Sequence, residues 1–243
     1  MIVISAGMQK SGSAYIYNLL NDLITLNGGI NARELKEKEK LNELLKHYNN
    51  NVGVLNFSTL FKLFKTSFRN GSFCVKTHNG PTKWLNLFLF LGIAKTVYIY
   101  RDPRDVLLSA QDHGRKIIEG GENHSFAELV LLKDTLTRMK KWIEIFYAYK
   151  AKKSVLTISY EDLLNHPLST MQKICDYLKY KMEPEQLEAI LWTYNKENEN
   201  VNLKGLHFNV AKTNRYSTEY NQDEILMINS EIGSDIVKMG YQL

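Results

Sequence analysis

Lys10, with Ser11, Gly12 and Ser13 behind it, and Arg101, with Ser109 eight residues beyond, are the residues whose types and spacing could do chemistry in this chain. Each group follows an apolar run that reads as a buried strand, Met1 to Ser5 before the first and Lys95 to Tyr100 before the second. Each leads into a helical pattern. A strand that passes to a helix through a turn of small residues presents unpaired backbone N–H groups, and the helix start adds partial positive charge. Both turns are therefore expected to hold anions. The first, Gln9-Lys10-Ser11-Gly12-Ser13-Ala14-Tyr15, adds an ammonium and hydroxyls. The second, Tyr100-Arg101-Asp102-Pro103-Arg104-Asp105, adds a guanidinium that can grip a phosphate with two parallel bonds. Ser109 falls about two turns along the helix that Pro103 opens. Asp102 and Asp105 would repel a phosphate, so we expect them to point away, cap that helix or pair with Arg104. Two such turns on one sheet suit a ligand with two separated anionic groups.

An ATP-binding P-loop reads G-x-x-x-x-G-K-[ST], with its Lys after the second Gly. Here Lys10 precedes Gly12 and no stretch matches that order. The expected architecture is α/β and P-loop-like, three layers with a central parallel sheet flanked by helices, holding a nucleotide other than ATP. The elements that must position the turns alternate as strand and helix, the pattern of a parallel sheet. Ser13 to Leu26 carries Tyr15, Ile16, Leu19, Leu20 and Leu23 at helical spacing and ends at Asn27-Gly28-Gly29. Ala32 to Tyr48 reads as a surface helix with one buried stripe, Ser58 to Phe68 as a second amphipathic helix and Trp84 to Ala94 as a core helix. Phe73 to Thr77 and Val155 to Ser159 are expected strands. Ser125 to Tyr149, Pro167 to Lys179 and Gln222 to Met239 are expected helices. Residues 1–243 show no repeat, low-complexity linker or composition break, so one domain is expected.

A hydrophobic fraction of 44% and a charged fraction of 23% are ordinary for a globular chain. The net charge of +5 favours anionic ligands but is too small to argue for nucleic acid, and no basic tract with interleaved aromatics supports that partner. Cys74 and Cys175 are the two cysteines, and neither their spacing nor a His-rich tract suggests a metal. The N-terminus lacks a basic region followed by an apolar one, and Trp84 to Ala94 is about half the length of a membrane span. A soluble, cytoplasmic protein without a membrane partner is expected. The sequence carries no signal for oligomeric state.

Four motifs in order resemble the sulfotransferases that use 3′-phosphoadenosine-5′-phosphosulfate (PAPS) and release adenosine 3′,5′-bisphosphate (PAP). Lys10-Ser11-Gly12-Ser13 is similar to their 5′-phosphosulfate loop, and Arg101 and Ser109 match the pair that holds the 3′-phosphate. Val75-Lys76-Thr77-His78 with Pro81 resembles the segment carrying the catalytic base. Ile158-Ser159-Tyr160-Glu161-Asp162-Leu163 with Pro167 resembles the Tyr-Glu-Asp segment. The resemblance implies that Lys10 and the amides of Ser11 to Ala14 meet the 5′-phosphate, that Lys76 steadies the sulfuryl group, and that His78 is the general base. An imidazole near neutral pKa suits removal of a hydroxyl proton. Tyr15 stands where the family has a Trp that stacks on adenine, and Tyr160 where a Tyr reaches the adenine; a core Tyr is the ordinary alternative. Ala14 replaces a second hydroxyl of the loop.

The resemblance weakens toward the C-terminus. Lys204-Gly205 echoes the family's Arg-Lys-Gly segment over the 3′-phosphate, and the following Gly-Asp-Trp-Lys is absent. Either Lys212 and Arg215 substitute as cations or they form an ordinary basic loop. The implied reaction is sulfuryl transfer from PAPS, without a metal, to a hydroxyl or nitrogen of a small molecule. Carbohydrates, phenols, amines and bacterial specialised metabolites all stay open as acceptors. Two other readings compete: a P-loop-type kinase of a nucleoside or similar metabolite, and a PAPS-binding module without chemistry.

Overall fold

The computed structural model describes residues 1–195, 197–198 and 212–243. Strands β1 (Ile2–Gly7), β2 (Phe73–Thr77), β3 (Ala94–Tyr100) and β4 (Val155–Ser159) form one sheet in the order β2-β1-β3-β4, each neighbouring pair parallel. Every residue of β1 is buried, as an apolar strand covered on both faces must be. Ile2, Ile4 and Ala6 join Phe73, Val75, Ala94 and Tyr98 in one core. Val3 joins Cys74, Val97 and Ile99 in the other. This alternation is the period of a strand with hydrophobic residues on both sides.

Helices α3 (Phe57–Asn70), α4 (Lys83–Phe90), α5 (Pro103–Glu119), α6 (Leu132–Lys150) and α11 (Gln222–Lys238) supply apolar side chains to the first core. Helices α1 (Ser13–Leu26), α8 (Pro167–Leu178) and α9 (Pro184–Thr193) supply the second. Shorter helices α2 (Ala32–Lys38), α7 (Tyr160–Asn165) and α10 (Tyr216–Glu219) and a 3-10 turn (Ser125–Glu128) complete the described set. Because the strands are parallel, the turns after β1, β2 and β3 all open on one edge of the sheet, where α/β folds bind ligands. Ala6 pairs with Thr77, so Gly7 and His78 meet just beyond the ladder.

The structure corrects several element expectations. The helix expected from Ala32 to Tyr48 stops at Lys38. Lys40, His47 and Asn50 then adopt left-handed backbone, and the chain turns back to lie along β2. Val52 donates its N–H to the Lys76 carbonyl at 2.7 Å, covering the edge strand that a longer helix would have left bare. The helix expected from Ser125 begins at Leu132, preceded by the 3-10 turn. The expected helix to Ala94 ends at Phe90, and Ala94 opens β3. The boundaries of α3, α8 and α11 differ by one or two residues from expectation, within ordinary fraying.

Candidate active site

The turn after β1 is tied down by Ser11, whose hydroxyl donates to the Met8 carbonyl at 2.6 Å and lies 3.3 Å from the Ile99 carbonyl. That hydroxyl therefore holds the turn to β3. Gly12 caps α1 in left-handed backbone (φ 78°), and no side chain caps this helix, whereas Asn56, Thr82 and Asp102 cap α3, α4 and α5. The amides of Ser13, Ala14 and Tyr15 precede the first intrahelical bond, from Ile16 N–H to the Gly12 carbonyl at 3.1 Å. Donors left at a helix start are suited to an anion. Lys10 is also left-handed (φ 65°), an uncommon state for a residue with a Cβ and one held here by the turn.

Lys76 ends on the same edge from β2. Burial, and then repulsion by Lys10, pushes the Lys76 ammonium down to about 8. Burial likewise brings Lys10 down to about 8; Lys116 and Arg101 add repulsion, and Asp112 opposes it. The Lys10 ammonium stands 5.6 Å from the centre of the Phe126 ring. A partly desolvated cluster of cations is a site whose electrostatics an anion would complete.

His78 follows β2, and its Nδ1 lies 2.8 Å from the Gly7 carbonyl oxygen. A carbonyl can only accept, so Nδ1 carries the proton and Nε2 carries the lone pair. Burial, followed by Lys76, pushes the imidazole down to about 3, while the bond to Gly7 pulls the other way. His78 is thus neutral at physiological pH, with a lone pair on Nε2 in a fixed tautomer, and burial beside Lys76 makes it a weaker base than the near-neutral imidazole expected from the sequence.

Arg101, at the end of β3, bonds the Asp105 carboxylate at 2.8 Å and the Lys212 carbonyl at 2.6 Å through Nη2. Its Nε is buried without a protein partner, an orphan donor in this turn. Asp105 also accepts the N–H groups of Asn214 (2.9 Å) and Tyr216 (3.1 Å), so it docks the returning C-terminal segment on α5. Asp102 caps α5 and pairs with Arg104 at 2.8 Å, as expected. Asp105 pairs with Arg101 rather than with Arg104. Arg215 bonds Asp112 through both terminal nitrogens at 3.0 Å, which makes it part of the same docking. Ser109 lies buried two turns into α5. Lys204 and Gly205 lie outside the described residues.

Tyr160 bridges the turns after β1 and β3. Its ring covers Gly12, and the Arg101 guanidinium lies 4.7 Å from the ring centre. Of the two expectations for Tyr160, adenine contact or core, the ring is buried in the second core at the start of α7, between the turns after β1 and β3. Tyr15 is half-buried, with its ring 6.5 Å from that of Tyr194 at 77°. Phe126 and Glu161 gain a place at the site only in the folded chain. Glu161 accepts from the Asp102 N–H (3.1 Å) and from the Tyr241 hydroxyl (2.8 Å), joining β3, α7 and the chain end. Both contacts depend on residues distant in sequence, although Glu161 sits inside a motif already singled out.

A Cβ on Gly12 would come within 2.6 Å of two Tyr160 ring carbons, in backbone that side chains avoid. Gly12→Ala is therefore expected to destabilise the fold by about 1–3 kcal/mol. Denaturant titration checks this, and an unchanged midpoint would contradict the close packing of turn and ring.

Among the described residues, no group of three or more His, Cys, Asp or Glu side chains is gathered as metal ligands would be, and no helix is long and apolar enough to cross a membrane. Rat (Rattus norvegicus) sulfotransferase 2A2 is 31% identical over 120 residues, covering 47% of this chain and 42% of that protein. Guinea-pig (Cavia porcellus) 3-alpha-hydroxysteroid sulfotransferase is 31% identical over 134 residues, covering 49% and 45%. The matched stretch is thus less than half the length of these relatives. A mouse sulfotransferase solved with PAP superposes with a TM-score of 0.65 at 14% identity, over 97% of this chain and 84% of that one. Retinol dehydratase, solved with androsterone and the inactive cofactor PAP, gives 0.63 at 20% identity, over 100% and 82%. These two structures share the fold of β1–β4 and its helices. The sulfotransferase domain family matches residues 2–226, a span that contains the turns after β1, β2 and β3 and the Tyr160 segment, and the chain belongs to that family.

Proposed function

We propose that this protein transfers the sulfuryl group of PAPS to a hydroxyl of a small-molecule acceptor, with His78 as general base. The observation that carries this reading is the 2.8 Å contact between His78 Nδ1 and the Gly7 carbonyl, which leaves Nε2 as a proton acceptor beside Lys76 and Lys10. In the proposed step the acceptor oxygen forms a bond to sulfur while its proton passes to Nε2. The bond from sulfur to the phosphate oxygen breaks, and its electron pair leaves with PAP. Lys10 and the α1 amides offset the charge that develops on that phosphate, as preorganised donors do. Arg101 and Ser109 take the 3′-phosphate. Tyr15 takes the adenine, and Lys204 and Gly205 are assigned to the nucleotide on the resemblance alone. Lys76, at the end of β2, steadies the sulfuryl group in flight.

The carboxylates at the end of β3 support this reading over a kinase, because Asp102 and Asp105 are committed to arginines and to backbone N–H groups. Acceptors spanning the hydroxysteroid chemistry in the relatives' names, together with phenols and sugars, form the test panel. Acceptor-dependent release of PAP, with one sulfuryl group gained by the acceptor, is expected. Tight PAP binding with no PAP release from PAPS on any acceptor would reduce the protein to a nucleotide-binding module.

The two lysines give a pH prediction. Each is half-protonated near pH 8 without nucleotide, and bound phosphates favour the charged ammonium and raise both values. PAP binding at pH 8 is therefore expected to take up protons, and affinity should fall as pH rises above 8. Calorimetry in two buffers of different ionisation heat measures the uptake. Proton release, or none exchanged, would contradict the cationic cluster.

A further inference from the structure

The face built by α3 and α4 is both apolar and strongly basic. Phe68 and Phe90 are 84% and 85% exposed, and Phe57, Phe61, Leu87 and Leu91 are exposed beside them. At the helical repeat, Phe57, Phe61, Phe64 and Phe68 form one stripe along α3, between the buried side of Leu60, Leu63 and Ser67 and an outer flank of Lys62, Lys65 and Arg69. The stripe continues onto α4, since Phe57 packs 5.0 Å from Trp84 and Phe64 packs 6.4 Å from Phe88, centre to centre. The cations lie along the aromatics: Lys65 is 4.5 Å from the Phe61 ring and Lys83 is 5.1 Å from the Trp84 ring.

Within α3 and α4 the charge is one-sided, and Glu39, which accepts from the Asn70 side chain at 3.0 Å, is a carboxylate at the C-terminal end of α3. Four cations, Lys62, Lys65, Arg69 and Lys83, stand on these two helices; residues 44–101 hold none of the chain's 26 Asp and Glu residues and eight of its 31 Lys and Arg residues, of which Lys76 and Arg101 are buried at the candidate site. Exposed aromatics bordered by cations, with no carboxylate in either helix, complement a surface that is apolar within and anionic at its boundary. A second copy of the chain fits poorly, because a two-fold contact would set this basic flank against itself.

We propose that the α3–α4 face docks this protein on an anionic lipid surface, the phenylalanines entering the headgroup boundary and Lys62, Lys65, Arg69 and Lys83 meeting lipid phosphates. The expectation of no membrane partner rested on the lack of an apolar stretch long enough to span a bilayer, and peripheral docking needs none. This inference is independent of the sulfuryl-transfer reading, because none of its residues belongs to the proposed catalytic or donor-binding set.

Sedimentation of the full chain with vesicles tests it. Vesicles of neutral phosphatidylcholine are compared with the same lipid carrying phosphatidylglycerol. At least tenfold stronger binding to the anionic vesicles is expected, with loss at high salt. Lys62→Gln/Lys65→Gln/Arg69→Gln should weaken that binding roughly a hundredfold, at about fivefold for each cation near the surface. Phe68→Ser/Phe90→Ser should weaken it at least tenfold while leaving the fold and PAP binding unchanged, since both side chains are exposed. Equal binding to both vesicles, or anionic binding unmoved by either variant, would overturn the proposal. Self-association that Phe68→Ser/Phe90→Ser abolishes, without lipid binding, would assign the face to a second copy and overturn it as well.

Discussion

His78→Ala is expected to lower transfer to a hydroxyl acceptor by about 10² to 10⁴ while leaving PAP affinity nearly unchanged. The two effects separate because the nucleotide contacts are assigned to Lys10, the α1 amides, Arg101 and Ser109, and the imidazole meets the acceptor. The bond from Nδ1 to the Gly7 carbonyl fixes the tautomer, so the lost function is proton acceptance at Nε2. His78→Gln should not restore the rate, because an amide can bond the acceptor hydroxyl yet cannot take its proton. A base must be unprotonated to work, so acceptor kcat/KM should fall as pH drops through the imidazole pKa. With burial and Lys76 holding that value well below the ordinary 6.5, the acid limb should lie below neutral pH and vanish in the alanine variant. Full activity of a folded His78→Ala protein with a confirmed hydroxyl acceptor would refute the assignment.

Lys10→Ala is expected to reduce single-turnover transfer at saturating PAPS by about a hundredfold or more, with the fold intact. Its ammonium is partly desolvated and stands 5.6 Å from the centre of the Phe126 ring, so its charge is felt strongly by whatever occupies the turn. Loss of such a cation raises the barrier in which charge develops on the leaving phosphate. The same variant should take up fewer protons on binding PAP at pH 8, because Lys76 alone would remain to be recharged. A wild-type rate in the folded variant would remove Lys10 from the transfer step.

The parts of the site that local chemistry defines were legible in the sequence. The turn from β1 to α1 announces itself by Lys10, Ser11, Gly12 and Ser13 between an apolar run and a helical period. Asp102 was readable as the cap of α5, since Pro103 and Arg104 follow it directly. The partner of Asp105 was not readable. Asp105 gathers Arg101 from one turn earlier and two backbone N–H groups from more than 100 residues later, and periodicity carries no record of that return. Tyr160 and Phe126 were placed by the same kind of long-range packing.

Among the elements, α9 went unread although Pro184 at its first turn and the reciprocal Glu183–Gln186 cap were available as signals. The Glu- and Lys-rich stretch after Ala32 has helical spacing throughout. Its second half nevertheless turns, delivering the chain that follows it to the edge of β2, where Asn50 and Val52 exchange backbone bonds with Lys76. Tertiary pairing there overrides a weak local preference.

In the proposed reaction the turns after β1 and β3 together hold a nucleotide with 5′- and 3′-phosphates. Calorimetric titration of the full chain with PAP, AMP and Mg-ATP tests it without knowledge of the acceptor. PAP should bind most tightly, with AMP weaker by at least tenfold for want of the 3′-phosphate, and Arg101→Ala should erase that difference, a charge-assisted contact being worth about 1.5–3 kcal/mol. Mg-ATP binding more tightly than PAP, or equal affinity for PAP and AMP in the unaltered protein, would contradict the account.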